Sequence, residues 1–205
     1  MEILPSSYLA PILQFCICMK EKEIMLEVHE NYKKQTYRNR TYIYGANGAL
    51  MLNIPLEKGR NHTAMKDKKI SYEADWRQLH WRSFESAYRS SPFFEYFEDD
   101  LRPFYEGKEV SFLVDFNEKL EEKIKELLSV QYTKKPTEHY MELPAEEDWR
   151  VKIHPKKHGW EQQVEFPEYL QVFADRFGFI QNLSIVDLLF NEGPNARKYL
   201  EKIQF

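Results

Sequence analysis

The dipeptide Asn47-Gly48 constrains this chain most strongly, because it stands between two segments of strand-like sequence. An Asn-Gly pair readily adopts the left-handed backbone conformation of a tight β-turn, so it is the best short signal for a hairpin. The flanking segments, 37–44 and 49–55, alternate in side-chain character in the manner of pleated strands. We therefore predict a β-hairpin at this position.

The first part of the chain predicts parallel strands. A short apolar run at 1–5 is followed by a loop, a helical segment from Pro11 to Lys20 and a second apolar run at 23–28. This order is typical of a β-α-β unit. Helical periodicity is clearest at 76–89, 93–107, 115–128, 167–178, 185–193 and 195–203. We predict an α/β fold: a mixed sheet with a β-α-β start, one β-hairpin and several packed helices.

Length and composition limit the classes of protein that this chain can represent. With 205 residues, of which 42% are apolar and 30% charged, it fits a single globular domain, 1–205. Segment 131–165 lacks periodicity and is interpreted as an irregular insertion or small subdomain. A pI near 5.9 argues against nucleic-acid binding. No apolar run is long enough to span a bilayer, so we expect a cytoplasmic protein without a transmembrane segment.

Neither the cysteines nor the histidines have a metal-binding pattern. Cys16 and Cys18 are two apart on a predicted helix and point in different directions, which is typical of small buried side chains. His154 and His158 are four apart, but the proline and glycine beside them disfavour a helix. We expect no metal site, and the sequence names no cofactor.

A cationic, tyrosine-rich segment, 29–44, interrupts a chain whose formal net charge is −4. A local patch that opposes the global sign suggests an anionic ligand. Guanidinium forks match phosphate oxygens. Because Arg38 and Arg40 are two apart on a predicted strand, we expect both to project from one face. The predicted anion site consists of Lys33, Lys34, Arg38, Arg40, Tyr32 and Tyr37. A solvated strand face with internal salt bridges is the alternative.

Candidate proton carriers lie on either side of the hairpin. His29 follows the second predicted strand, and His80 and Glu85 lie on the helix 76–89, where Trp81 and Arg82 are further candidate substrate contacts. The alternative is a structural role, with His80 bonded to a nearby carbonyl and Glu85 paired with an arginine. Segment 57–69 is interpreted as a solvated connection or as a lid over the anion site.

Three strings resemble the WbqC-like protein family in the same order: YKKQTYRNR at 32–40, HWRSFESAYRSSPFFEYFEDDL at 80–101 and GFIQNLSIVDLLFNEGP at 178–194. The resemblance spans nearly the whole chain. It implies a bacterial cytoplasmic protein associated with O-antigen and other surface-polysaccharide biosynthesis. Many members carry His-Gln-Pro after the first strand, where this chain has Leu4-Pro5-Ser6-Ser7-Tyr8 and no histidine, and a Ser-Gly-Pro segment is also missing. The opening is similar to nucleotidyltransferase-type α/β folds, whose His-x-Gly-His is absent.

Two functions follow as hypotheses. The first is an enzyme that acts on a nucleotide- or lipid-linked sugar, with acyl or aminoacyl transfer as the candidate reaction. The second is a non-catalytic binding module or partner protein of the same pathway. Either would take an anionic small molecule such as a nucleotide sugar. A cleft shared by His29 or His80 with the two arginines would favour the enzyme.

Overall fold

A computed structural model describes residues 1–59, 62–156 and 164–205 as an α/β fold. The strands are β1 (Glu2–Pro5), β2 (Ile24–Glu27), β3 (Arg40–Gly45), β4 (Gly48–Asn53) and β5 (Lys134–Pro136). The helices are α1 (Ile12–Lys20), α2 (Trp76–Tyr88), α3 (Phe94–Leu101), α4 (Pro103–Glu106), α5 (Leu113–Leu128), α6 (Trp149–Lys152), α7 (Ala174–Phe177), α8 (Ile185–Glu192) and α9 (Ala196–Lys202). Single 3-10 turns lie at Met65–Asp67 and Gly193–Asn195.

A three-stranded parallel sheet forms in the order β1-β2-β5, which confirms the predicted β-α-β start. Parallel strands are covered on both faces, and this explains why β1 and β2 are apolar almost throughout. Helix α1 connects them and is buried from Ile12 to Cys18. Cys16 and Cys18 are therefore buried, as predicted, and burial raises the pKa of the Cys16 thiol to about 12.

The predicted hairpin is confirmed as the antiparallel pair β3–β4, in register from Arg40↔Asn53 to Gly45↔Gly48. Gly48 has a φ of 94°, a conformation that a side chain would strain. The first strand is shorter than predicted, because the ladder begins at Arg40 rather than at residue 37. Arg38 thus lies before the sheet, where the alternation of a strand no longer fixes its direction.

Segment 131–165 contributes β5 to the parallel sheet, and its described part is anchored by a buried arginine. The Arg150 guanidinium is 2% exposed and donates to Glu27 at 3.0 Å and to Asp148 at 2.7 and 2.9 Å. Glu27 ends β2, and it also accepts the N–H of Met141. These contacts hold the segment against the carboxyl end of the sheet.

Helices were predicted at 93–107 and at 167–178, and the structure agrees more fully with the first prediction than with the second. The segment 93–107 forms α3 and α4, which separate at Pro103 as its missing N–H requires. The helix predicted at 167–178 is wrong for its first half, since only Ala174–Phe177 is helical. Gln171 turns inward there and exchanges two hydrogen bonds with the backbone of Ile180, so an open loop replaces the first turns.

No described helix combines the length and the hydropathy that a bilayer crossing needs. Helix α5 is sixteen residues long and carries a charged face.

Candidate functional site

A cavity of about 700 Å³ lies beside the open end of the hairpin, and we call it the hairpin cavity. The segment that follows β2 forms one wall, and the paired ends of β3 and β4 form another. Its described lining falls at 31–32, 34–35, 39–40, 53–54, 56–59, 62–63 and Lys68. The sheet therefore positions this opening past the carboxyl end of β2, where α/β proteins commonly bind ligands.

Backbone hydrogen bonds hold the loop wall of the hairpin cavity in place. The N–H of Tyr32 donates to Thr63, and the N–H of Met65 donates to Glu30. Met65 is fully buried, and Asn31 forms an isolated bridge with Ala64. The described part of the segment predicted as a solvated connection or lid is therefore a fixed wall. Residues 60 and 61 lie outside the described residues.

A relay of side-chain hydrogen bonds joins the segment that follows β2 to the paired ends of β3 and β4. The Tyr32 hydroxyl donates to Oδ1 of Asn39 at 2.9 Å, and Nδ2 of Asn39 donates to Oδ1 of Asn53 at 2.9 Å. Nε of Arg40 donates to the same Asn53 oxygen at 3.2 Å. A guanidinium only donates, so the orientation of the Asn53 amide is fixed. Its Nδ2 group has no hydrogen-bond partner among the described residues.

The lining charge of the hairpin cavity is positive. Arg40, Lys34, Lys58 and Lys68 line it, against the single carboxylate of Glu57. Within 1–59, 62–156 and 164–205, none of these four cations forms an ion pair. Arg38, Arg89 and Arg150, in contrast, all pair with carboxylates. At the edge, the exposed ammonium of Lys156 donates to Gln35. Unpaired cations around one opening attract an anion.

Arg38 does not project with Arg40, so that expectation is wrong. Its guanidinium is 1% exposed, and its Nε and Nη2 each donate to one carboxylate oxygen of Glu30 at 2.7 Å. Burial raises the pKa of Glu30, and the charge of Arg38 opposes that rise. The carboxylate that follows β2 thus draws Arg38 inward. Arg38 therefore forms an internal salt bridge, which was the alternative to its role in the predicted anion site.

His80 is buried and does not line the hairpin cavity. It is 1% exposed, and its Nδ1 lies 2.8 Å from the hydroxyl of Tyr8, which lies 2.8 Å from the hydroxyl of Tyr105. Burial lowers the pKa of His80 to about 4, against a smaller opposing effect of a hydrogen bond with the backbone of Asn53. A neutral, enclosed imidazole with these partners supports the packing of α2. A structural role for His80, which the sequence left open as an alternative, fits this position better than proton transfer to a ligand.

The remaining predicted residues do not gather at one place. Trp81, Arg82 and Glu85 line a separate cavity of about 430 Å³ beside α2 and α4, where Glu85 pairs with Arg89 at 3.1 Å. His29 is half-buried, and its N–H donates to Glu27. Lys33 is exposed, whereas Tyr37 is buried with its ring against Tyr42. Of the predicted anion site, Tyr32, Lys34 and Arg40 line the hairpin cavity.

Several lining residues were not predicted. Asn53 could have been found, because the Asn-Gly turn sets the register that pairs it with Arg40. Lys58, His62 and Lys68 were not named individually, although they belong to segment 57–69, which was interpreted as a solvated connection or as a lid over the anion site. The fold of that loop brings them to the opening. Among the described residues, no group of three or more His, Cys, Asp or Glu side chains is arranged for a metal ion.

Comparison with known proteins gives a family match and one curated relative. The sequence model of the WbqC-like protein family matches residues 6–161 and 154–199. An uncharacterized protein of Mycobacterium tuberculosis, Rv1507c, is 24% identical in an alignment 201 positions long, gaps included, that covers 82% of this chain and 83% of that protein. No solved structure matches the chain significantly.

Proposed function

This chain belongs to the WbqC-like protein family, and from that premise we propose that it binds a phosphate-bearing sugar metabolite in the hairpin cavity. The proposed setting is surface-polysaccharide assembly of the O-antigen type. This part of the proposal rests on the resemblance to the family, whereas the ligand chemistry rests on the cavity.

The observation that carries the proposal is a set of four cations around the hairpin cavity that form no ion pair with the described residues, with one carboxylate among the described lining residues. Surface cations usually lie near acids in a chain that is acidic overall. Arg89, Arg102 and Arg197, for example, each pair with a glutamate. A ligand that supplies negative charge would replace the missing carboxylates. The Arg40 guanidinium, held through Nε by Asn53, keeps other donors for phosphate oxygens.

Binding without catalysis is the simpler form of this function. The two histidines that the sequence suggested as proton carriers, His29 and His80, are not among the described residues that line the hairpin cavity. The opening still supplies fixed amides, a tyrosine and four cations. These groups suffice to hold a ligand, and they include few that could transfer a proton near neutral pH.

Catalysis is a second candidate because another histidine, His62, lines the hairpin cavity together with Arg40. Its backbone has a φ of 65°, which is uncommon outside glycine and is enriched at functional sites. Mass spectrometry of the protein incubated with a uridine diphosphate hexosamine and an acyl-coenzyme A would detect transfer. His62→Gln should then lose turnover while it still binds the sugar nucleotide. If the unmodified protein forms no product from any acyl donor, this candidate is discarded.

Titration calorimetry with inorganic pyrophosphate and a uridine diphosphate hexose tests the binding proposal. Loss of one charge-assisted hydrogen bond should cost about 1.5–3 kcal/mol, so Arg40→Gln should weaken the binding of both ligands about 10- to 150-fold. Arg89→Gln is the matched control, since Arg89 is exposed and lies outside the hairpin cavity. Binding by the unmodified protein should also weaken as salt rises. Equal affinities for R40Q and R89Q, or no binding of either ligand, would refute the proposal.

A further inference from the structure

The cationic segment 29–44 contributes four tyrosines, but most of their rings do not face a ligand. Tyr37 is 8% exposed and packs against Tyr42 at 6.1 Å between ring centroids. Tyr44 is fully buried, and its hydroxyl lies 2.7 Å from the carbonyl oxygen of Gly178 and 3.1 Å from that of Phe173. Only Tyr32 lines the hairpin cavity. The rings of this tyrosine-rich segment therefore mostly pack in the protein interior.

Tyr32, the one tyrosine among the described residues that line the hairpin cavity, already has partners for its ring and its hydroxyl. The ammonium of Lys68 lies 5.1 Å from the centroid of the Tyr32 ring, over its face. The Tyr32 hydroxyl donates to Asn39 within the relay. A nucleobase that stacked on this face would have to displace a cation from its favourable position over the ring. Among the described lining residues, the imidazole of His62 is the other aromatic ring, and it is small.

The groups that remain available suit phosphate and hydroxyl groups. Nδ2 of Asn53 and the side-chain amide of Asn31 lie in the wall beside the four cations. Amides can both donate and accept, as sugar hydroxyls do, and cations match phosphate oxygens. The volume of about 700 Å³ lies within the usual range of ligand pockets, so size does not decide between ligands. The chemistry of the wall does.

We infer that the hairpin cavity recognises a sugar through its diphosphate link and its hydroxyls and does not read a nucleobase. The inference rests on the proposed function and narrows its ligand class. The shared chemistry is a sugar joined to a diphosphate, which a nucleotide sugar and a lipid-linked sugar both contain. A stacked base would normally add about 5- to 150-fold in affinity. That contribution should be missing here.

A ligand series that changes only the group beyond the diphosphate tests this inference. The uridine, adenosine and guanosine diphosphate forms of one hexose carry the same sugar and diphosphate, and a short-chain alkyl diphosphate hexose lacks any base. Calorimetry should give dissociation constants within about threefold across the series, because a difference that small leaves no room for base stacking. Saturation-transfer NMR on the uridine compound should give stronger signals for sugar protons than for base protons.

Lys68→Met gives a second readout, since it removes one cation and uncovers the Tyr32 ring. All four ligands should weaken by the same factor. A preference of the unmodified protein above about tenfold for one base would overturn the inference and leave the proposed function intact, because stacking would then contribute. If neither the series nor inorganic pyrophosphate binds, the proposed function itself fails. Selective binding of the alkyl form alone would also overturn the inference, because the nucleotide forms carry the same sugar and diphosphate and should then bind equally well.

Discussion

Nε of Arg40 donates to Oδ1 of Asn53 at 3.2 Å across the first residue pair of the hairpin ladder. This contact sets the guanidinium at the edge of the hairpin cavity. Arg38, two residues earlier, turns into the interior and pairs with Glu30. The two arginines, which are two positions apart, therefore have different environments. The stability of their variants should differ accordingly.

Arg38 should be required for folding and Arg40 should not. Arg38→Met leaves the buried carboxylate of Glu30 without its partner, which typically costs about 3–5 kcal/mol. Arg40→Gln changes a partly exposed residue, and we expect a change within about 0.5 kcal/mol. Urea unfolding of the two variants compares these free energies. The double variant R38M with Glu30→Gln should recover part of the loss, since it removes the uncompensated charge. Equal losses for R38M and R40Q would contradict this assignment.

His80 should make the protein less stable at mildly acidic pH. Its pKa falls from the ordinary 6.5 to about 4 on folding. Below 6.5 the unfolded chain binds the proton while the folded protein resists it, so stability decreases as the pH falls from 6.5 to 4. The loss should approach about 3 kcal/mol at the lower end. His80→Gln cannot titrate, so its unfolding free energy should change less over this window. An NMR titration that assigned the His80 ring a pKa near 6.5 would disprove the burial argument.

Asp187 should have the opposite pH dependence. It is fully buried, and it accepts hydrogen bonds from Tyr88 at 2.7 Å, from Tyr169 and from Gln171 at 2.9 Å. Burial raises its pKa above the ordinary 3.8, and the three hydrogen bonds oppose that rise. The folded state thus holds the proton more tightly than the unfolded state, and the contribution of Asp187 to stability falls as the pH rises above 3.8.

Asp187→Asn removes this titration. Its disadvantage relative to the unmodified protein should therefore shrink between pH 4 and neutral pH. Denaturant unfolding at a series of pH values measures the difference. A difference that stayed constant, or that grew with pH, would mean that the three hydrogen bonds outweigh the effect of burial.

The two thiols should not react in the folded protein. Cys16 and Cys18 are 0% and 1% exposed, and burial raises the pKa of both thiols. The thiolate is the reactive form, so a disulfide reagent should label both cysteines after denaturation and neither before. Rapid labelling of either thiol under native conditions would show that α1 opens from the sheet.

Much of the fold follows from local sequence. The Asn-Gly turn predicts the hairpin and its register, the apolar runs around Pro11 predict the β-α-β unit, and Pro103 predicts where α3 ends. These features depend on backbone geometry and on neighbouring side chains. The first half of 167–178 is the exception, because the backbone contacts of Gln171 override helical periodicity.

Local sequence predicts less of the candidate site than of the fold. The sequence alone determined that 29–44 is cationic, and it identified Tyr32, Lys34 and Arg40 among the candidates. Only the tertiary structure decided which cations stay unpaired. Arg38 finds Glu30 eight positions away, and His80 finds Tyr8 across 72 positions. Burial and pairing depend on groups brought together from distant segments, so two residues with equal local patterns can become an internal salt bridge and a free cation.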